Sequence, residues 1–170
     1  MGVFISKIML DLPGMRIRKA LDTDKEKIFQ VHVASIKQSC RNHYTKEQLD
    51  AWVSVLSPSV YDHALKKKEF FVAEDSEHSL LGLGMLDLDN AELSAIYIHP
   101  GAAGRGIGTR MLQKLELVAQ QADIKKLTVY STINANGFYQ QFGYQEQGPA
   151  QHNLPNGFKL ECIHMTKVLT

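Results

Sequence analysis

The sequence predicts an α/β domain in which a mixed, mostly antiparallel sheet is flanked by helices. Two observations predict this class. Apolar residues repeat with helical periods in some segments and with strand periods in others, so that the two kinds of element alternate along the chain. Three strand-like segments also follow one another between residues 69 and 98, with only short turns between them. Such a meander pairs antiparallel.

The first 68 residues combine one strand with three helices. Residues 15–20 (MRIRKA) predict a short strand, and residues 22–36 follow with apolar positions at helical spacing. Thr45 and Gln48 predict a capping box at the start of a second helix, and Ser57, followed by a proline, predicts the N-cap of a third. The lysines that end this third segment are expected to be a solvated helix end.

The part of the chain after the meander alternates helices and strands. A stripe of apolar residues predicts an amphipathic helix from Gly106 to about Gln121. Further along, the pattern predicts a buried strand at 125–131, a short helix at 134–143, another strand near 144–147 and a terminal strand at 158–169.

Composition and charge narrow the classes of partner. The formal net charge is +1, which gives no electrostatic reason to expect nucleic acid. The longest apolar run, residues 80–86, is far shorter than the roughly 20 residues of a membrane helix, so no membrane partner is expected. Cys40 and Cys162 make no disulfide framework, and Lys7 interrupts the apolar N-terminal segment, so the sequence predicts a cytoplasmic protein.

Residues 1–14 precede the first element that the sequence predicts. We interpret them as an N-terminal extension and residues 15–170 as a single domain, because no repeat, low-complexity tract or linker interrupts the latter. Met15 is then a hypothetical alternative start. Detection of residues 2–14 in the native protein by mass spectrometry would contradict that hypothesis.

The most informative stretch is AIYIHPGAAGRGIGTRML, residues 95–112, in which an apolar strand stops at Pro100 and glycines follow at alternate positions. Gly108 is not followed by the lysine of a Walker phosphate loop, and the third glycine of a dinucleotide fingerprint is missing. Glycines let an anion approach the backbone, and the first amides of the following helix have no internal acceptor. The stretch therefore favours a phosphate or pyrophosphate beside Arg105. A flexible turn that uses glycine only for its geometry is the alternative.

Two motifs in the chain resemble those of the GNAT-type N-acetyltransferases. In that family a strand runs into a Q/R-x-x-G-x-G/A loop and then a helix, which bind the pyrophosphate of acetyl-CoA, and here the loop falls on residues 103–108. A second family element, A-x-x-F-Y-x-x-x-G-F/Y, is matched by residues 135–144. The segment HYTKEQLDAW also resembles a bacterial subgroup called YafP-like. The resemblance implies a GNAT fold, whose sheet is splayed between its fourth and fifth strands.

The resemblance further implies an enzyme that moves an acetyl group from acetyl-CoA, its co-substrate, directly to an amine in a ternary complex. Tyr139 lies where the family has its general acid, and Glu92 lies at the spacing of a family general base. An aromatic core residue and a solvated carboxylate at a strand edge are the alternatives for these two, and Asp87 and Asp89 are reserve bases.

The contacts to the cofactor that the resemblance implies come from Ile96, Tyr97, Ile98, Ala103, Gly104, Arg105, Gly106, Ile107, Gly108, Thr109, Thr132, Asn134 and Phe138. Asn134 fits a helix cap equally well. Ala103 takes the place of the family's Gln or Arg, so one side-chain contact, worth about 0.5–1.5 kcal/mol, should be missing.

The acceptor, an amine of a small molecule, peptide or protein, is left open by the sequence. By resemblance its pocket lies between the first helices and the C-terminal strands, which makes His43, Tyr44, Trp52 and the loop 148–158 candidates, although turn formation alone explains that loop. No metal site is expected, since neither CxxC nor HxxxH occurs. A homodimer is left open. Two rival functions on the same fold are a non-catalytic acyl-CoA sensor and a protein-interaction module.

Overall fold

A computed structural model describes residues 12–170. Residues 1–11 of the predicted N-terminal extension lie outside the described residues. The boundary between the extension and the domain therefore stays a prediction. The strands are β1 (Met15–Lys19), β2 (Glu69–Asp75), β3 (Leu80–Asp87), β4 (Glu92–Ile98), β5 (Lys126–Thr132), β6 (Gln145–Asn153) and β7 (Lys159–Val168). The helices are α1 (Lys25–Ser39), α2 (Lys46–Ser54), α3 (Asp62–Lys67), α4 (Ile107–Gln121) and α5 (Asn136–Gln141).

The described strands form one sheet with the order β1-β2-β3-β4-β5-β7-β6. Neighbouring strands pair antiparallel except β4 and β5, which are parallel. This topology confirms the predicted α/β class and the mixed, mostly antiparallel sheet. It also confirms the predicted antiparallel meander, which consists of β2, β3 and β4.

Helices cover the two faces of the sheet, and alternate residues of one strand enter different clusters of buried side chains. On β2, Phe71 and Ala73 pack in the cluster that contains α4, whereas Phe70 and Val72 pack in the cluster that contains α1. The apolar stripe of α4 is buried as predicted. No helix within residues 12–170 is both long and apolar enough to cross a membrane.

The sheet opens between β4 and β5, as the resemblance implied. Parallel pairing is limited to Glu92 with Thr128 and Leu93 with Val129, so the two strands part after residue 93. β4 also carries a bulge at the same level. Leu93 pairs with Leu86 and the next paired residue of β4 is Ala95, which leaves Ser94 without a partner on β3.

Glycines in β3 let α4 lie close to the sheet. A Cβ atom on Gly84 would lie 2.6 Å from Met111 Cγ, and one on Gly82 would lie 2.7 Å from Ile98 Cδ1. No side chain larger than hydrogen fits at either position without a shift of its neighbour. The two glycines thus fix how α4, and the turn that precedes it, sits on the strands that frame the splay.

Several local expectations need correction. β5 is not buried throughout, because it alternates and leaves Lys126 and Tyr130 exposed. β6 extends to Asn153, so half of the expected loop 148–158 is strand, and Pro149 is tolerated there because β6 is an edge strand. Ser57 makes no side-chain cap. The predicted capping box of α2 is confirmed by both of its hydrogen bonds, of 3.1 Å and 2.9 Å.

Candidate functional site

A cavity of about 600 Å³ lies beside the opening between β4 and β5. Residues of α1, α2, β4, β5 and the β6–β7 hairpin line it. Five residues singled out from the sequence are brought together there, namely Tyr44, Trp52, Glu92, Tyr97 and Thr132. His43 is not among the lining residues and is exposed to solvent.

The backbone of β4 presents alternate residues to the opening. His99 N–H donates to Leu81 carbonyl oxygen at 2.8 Å. Hydrogen-bonded pairs alternate along an antiparallel ladder, so Tyr97 directs its backbone groups to β3, while Ile96 and Ile98 direct theirs away from it. Two of the three backbone positions expected to meet the cofactor therefore face the splay, and the backbone of Tyr97 does not. The side chain of Tyr97 lines the cavity instead.

The glycine turn before α4 has the backbone geometry of an anion site. Gly104 and Gly106 have φ angles of 75° and 78°, in the left-handed region that favours glycine. The first backbone hydrogen bond of α4 runs from Arg110 N–H to the Gly106 carbonyl oxygen. The N–H groups of residues 107–109 precede this bond and have no carbonyl acceptor within the helix. A Cβ atom on Gly104 would meet nothing within 4 Å, which leaves this side of the turn open. These features fit a pyrophosphate.

The side chains around this turn are mostly free to meet a ligand. Arg105 and Ala103 are exposed, and Thr109 is half-buried on the first turn of α4. Phe138 of α5 closes the turn from the other side, because its ring lies 3.6 Å from the place a Cβ on Gly108 would take. The α5 segment is thereby seated against the start of α4.

Asn134 and Thr132 follow β5 on the far side of the opening. The side-chain oxygen of Asn134 accepts a hydrogen bond from Cys40 Sγ at 3.5 Å. Neither the short helix after Thr132 nor α5 has a side-chain cap, so the alternative of Asn134 as a helix cap is wrong. Thr132 lines the cavity.

Tyr139 on α5 is a buried phenol without a protein partner. Its ring packs edge-on against Phe138 and Tyr144, at centroid distances of 5.2 Å and 5.4 Å. Within residues 12–170 its hydroxyl forms no hydrogen bond, although the side chain is only 5% exposed. Burial raises the pKa of Tyr139 above that of an ordinary phenol. The phenol therefore stays protonated at neutral pH, and its hydroxyl can donate a hydrogen bond to a ligand.

Glu92, the candidate base, lies where β4 begins and lines the cavity. Burial raises its carboxyl pKa, while the Lys68 ammonium works in the opposite direction. Lys68 Nζ donates to Ser94 Oγ at 2.8 Å and lies 3.6 Å from Asp87 Oδ2. Lys68 is thus not part of a solvated helix end, and Asp87 is held by it and by Asn90 rather than directed to the cavity.

Two residues that were predicted to line the pocket of the acceptor amine, Tyr44 and Trp52, are part of the cavity wall. The Tyr44 hydroxyl donates to Glu161 carbonyl oxygen at 2.6 Å and accepts from Ile133 N–H at 3.2 Å. It therefore joins the end of β5 to β7 and is already satisfied. The Trp52 ring stands edge-on to the rings of Tyr44 and Tyr97, at 6.0 Å and 6.4 Å. Together these rings form one aromatic wall.

His32 is a residue of the cavity that was not predicted from the sequence. This residue of α1 is 7% exposed, lines the cavity and lies over the Tyr97 ring at 4.1 Å. Nδ1 is 2.8 Å from the Tyr61 hydroxyl, but Nε2 is buried and has no partner in the described part of the chain. Burial lowers the pKa of His32 to about 4, so the ring is neutral at physiological pH. A histidine on an apolar helical stripe was the available signal.

The cysteines and the remaining histidines form no metal centre. In residues 12–170 no three His, Cys, Asp or Glu side chains are grouped so that they could hold an ion. Cys40 and Cys162 are free and buried. His164 stacks on Tyr130 at 5.0 Å, and His99 Nδ1 accepts from Gly101 N–H at 3.0 Å.

Comparison with protein families gives one match that covers most of the chain. Residues 40–169 match the family described as "Acetyltransferase (GNAT) domain". Among curated proteins, the uncharacterized protein YdhI of Bacillus subtilis is 32% identical over 78 residues. That alignment covers 44% of this chain and spans about half (49%) of the length of YdhI.

Solved structures share the whole fold. A GCN5-related N-acetyltransferase from Rhodopseudomonas palustris is 28% identical and superposes with a TM-score of 0.84, covering 91% of this chain and 95% of its own. The PaiA N-acetyltransferase from Thermoplasma acidophilum, solved with coenzyme A, is 20% identical with a TM-score of 0.70, covering 91% and 98%. The phosphinothricin acetyltransferase from Sinorhizobium meliloti, solved with acetyl-CoA, is 16% identical with a TM-score of 0.68, covering 92% and 89%. The YafP-like subgroup stays a prediction.

Proposed function

Because the chain belongs to the GNAT acetyltransferase family, we propose that it transfers an acetyl group from acetyl-CoA to a primary amine, directly and within a ternary complex. The observation that carries the proposal is the position of two features at one opening of the sheet. The strand edge of Ile96 and Ile98 borders the place where β4 and β5 part, and the glycine turn follows that strand. Acetyl-CoA is a long molecule, so it needs the strand edge for its thioester arm and the glycine turn for its pyrophosphate.

The residues of the turn fit the pyrophosphate of acetyl-CoA. Left-handed Gly104 and Gly106 leave the backbone bare, and the amides at the start of α4 lack an internal acceptor. Arg105 adds a positive charge beside them. On the strand, the free backbone groups of Ile96 and Ile98 would pair with the amides of the pantetheine arm and polarise the thioester carbonyl. Phe138, Thr132 and Asn134 would border the arm from α5 and β5.

Acetyl-CoA supplies an activated acetyl group, and the chain supplies the proton transfers. Glu92 accepts a proton from the amine as its nitrogen bonds to the acetyl carbon, either directly or through a water. Its raised pKa brings the carboxylate closer to the range in which a base is effective. Tyr139 donates a hydrogen bond to the sulfur as the carbon–sulfur bond breaks. Since burial makes Tyr139 a weaker acid than an ordinary phenol, we assign its main role to stabilising the thiolate.

The experiment combines calorimetry with acetyl-CoA and a thiol-release assay over a panel of amines. We expect acetyl-CoA binding, and thiol release that depends on the added amine. Gly104→Ala should weaken acetyl-CoA binding about tenfold, because its Cβ lies where the anion approaches. Gly157→Ala is the matched control: its φ angle is 87° and its Cβ also meets nothing within 4 Å, so it carries the same backbone strain away from the turn. Equal effects of both variants would contradict the assignment.

The rival of an acyl-CoA sensor has one observation in its favour, which is Ala103 in place of the family's Gln or Arg. Tight acetyl-CoA binding without amine-dependent thiol release would support the sensor. No measurable binding would favour an interaction module and would refute the proposal. A cytoplasmic location and the expected absence of nucleic-acid and membrane partners stay predictions, and the homodimer stays open.

A further inference from the structure

The cavity beside Glu92 carries its own information about the acceptor. The geometry points to a primary amine with an apolar, aromatic body and no carboxylate or phosphate, held in part by a hydrogen bond to His32 Nε2. This inference rests on the proposed acetyl transfer and names the class of acceptor for it. Three features of the cavity wall carry it: its charge, its aromatic rings and one unpartnered nitrogen.

The first feature is the charge of the wall. Its carboxyl residues are Glu92 and Glu161, and neither lysine nor arginine is found among the lining residues in 12–170. The ammonium that acts on Glu92 belongs to Lys68, which already binds Ser94 and Asp87. The exposed His152 imidazole also lines the cavity and acts on Glu92 in the same direction as Lys68. An acceptor with a carboxylate or phosphate would therefore lie beside like charges, and the wall within residues 12–170 offers it imidazole groups but no lysine or arginine. Free amino acids are disfavoured on this ground.

The second feature is the aromatic and aliphatic surface. Trp52 stands edge-on between Tyr44 and Tyr97, and Tyr130 lines the cavity from β5. The rest of the wall is largely aliphatic, from Val55, Leu56, Val60, Met85, Leu154 and Leu160. A ring or branched chain gains from this surface. Because Glu92 serves the reacting amine, the additional ammonium groups of a polyamine would have Glu161 as the one remaining carboxyl partner among the lining residues in 12–170.

The third feature is the orphaned nitrogen of His32. The ring is neutral, and its Nδ1 is engaged by the Tyr61 hydroxyl, which leaves Nε2 without a partner. The other buried side-chain atom without a partner in the described residues, Asn136 Oδ1, does not belong to the cavity lining. A buried polar atom without a partner costs free energy, and a ligand that pairs with it recovers that cost. In the tautomer with the proton on Nδ1, Nε2 accepts from an amine N–H or a neighbouring donor of the acceptor.

The first test uses wild-type protein and matched acceptors. Thiol release at pH 8, above the range in which histidines are usually charged, is compared for 2-phenylethylamine, phenylalanine and phenylalaninamide, with spermidine and an acetyl-capped lysine peptide. We expect kcat/KM for 2-phenylethylamine and for phenylalaninamide to be at least ten times that for phenylalanine. We expect a similar ratio over spermidine and over the lysine peptide. Phenylalaninamide separates the effect of charge from that of bulk.

The second test separates the hydrogen bond from packing. His32→Asn ends at the position of Nδ1 and can keep the bond to Tyr61, whereas His32→Gln reaches the position of Nε2. We expect His32→Asn to lower kcat/KM for 2-phenylethylamine about 2- to 10-fold through the acceptor KM, and His32→Gln to restore much of it. The dissociation constant of acetyl-CoA should stay unchanged in both.

Different failures point to different errors. If phenylalanine, spermidine or the lysine peptide is the best acceptor, the inference is wrong and the acetyltransferase stands. If acetyl-CoA binds but none of the amines gives thiol release, the proposed function itself fails. If His32→Asn and His32→Gln lower the thermal stability equally and the acceptor KM of both variants equals that of wild type, the role of His32 is structural. The inferred hydrogen bond between His32 Nε2 and the acceptor is then overturned.

Discussion

Replacement of Tyr139 by phenylalanine is the sharpest test of the chemistry. The side chain is buried and its hydroxyl has no hydrogen-bond partner in residues 12–170, so removal of the hydroxyl leaves no protein group unsatisfied. We therefore expect the free energy of unfolding to change by less than about 0.5 kcal/mol. A hydrogen bond to a charged group such as a thiolate contributes about 1.5–3 kcal/mol. Its loss should lower kcat by about 10- to 150-fold.

Tyr144→Phe is a matched control for this variant. In the wild-type protein the ring of Tyr144 packs edge-on against Tyr139, but the Tyr144 hydroxyl donates to Glu116 Oε1 at 3.0 Å. That carboxylate keeps both contacts to Lys167, at 2.7 Å and 2.9 Å. We expect Tyr144→Phe to lower stability by about 1 kcal/mol, or roughly 2–4 °C in Tm, with kcat close to that of wild type. The two tyrosines should thus separate stability from turnover.

The assay must isolate the chemical step. Single-turnover acetyl transfer to an acceptor that gives thiol release, followed at saturating acetyl-CoA, avoids the masking effect of slow product release. Calorimetry should show the same acetyl-CoA dissociation constant for Tyr139→Phe and wild type. An unchanged single-turnover rate, or an equal loss of rate in Tyr144→Phe, would refute the role that we assign to the Tyr139 hydroxyl.

Three further predictions follow from the structure. Ala103→Gln should tighten acetyl-CoA binding up to about tenfold by restoring one side-chain hydrogen bond; calorimetry showing no change would mean that this turn holds the cofactor differently. Lys68→Met removes the larger of the two basic influences that lower the Glu92 pKa, the other being His152, so the acidic limb of the kcat/KM profile should move to higher pH. Lys67→Met, on the exposed part of the helix, should leave the profile in place. Gly84→Ala should cost about 1–3 kcal/mol in chemical denaturation, whereas Gly137→Ala, with nothing within 4 Å of its Cβ, should be neutral or stabilising.

Local patterns in the sequence were sufficient for most of the fold. The capping box at Thr45, the stripe of α4 and the three strands of the meander are properties of neighbouring residues, and each is found where it was predicted. β6 was underestimated because Pro149 reads as a turn residue, and only its place at the sheet edge allows it in a strand.

The candidate site was harder to predict from the sequence than the fold, because its parts depend on contacts between distant segments. The glycine motif located the turn, but the register against β3 decides that Ile96 rather than Tyr97 turns its backbone to the opening. Lys68 was read with its neighbours as a solvated group, yet it reaches Ser94, 26 residues away. The open nitrogen of His32 follows from a partner 29 residues further along, Tyr61, that engages only one side of the ring.

Under the proposed function, the bulge at Ser94 would let one strand serve both substrates. Side chains alternate along a regular strand, so Glu92 would share a face with Ile96 and would lie opposite Tyr97. The extra residue reverses the alternation: Leu93 packs in the α4 cluster, whereas Ala95 and Tyr97 pack on the opposite face. Glu92 and the aromatic wall therefore meet in one cavity, while the backbone beyond the bulge stays available for the thioester that we propose. Lys68 holds this irregularity through the Ser94 hydroxyl. The position of Glu92, the proposed base, and the opening of the sheet are therefore parts of the same structural feature.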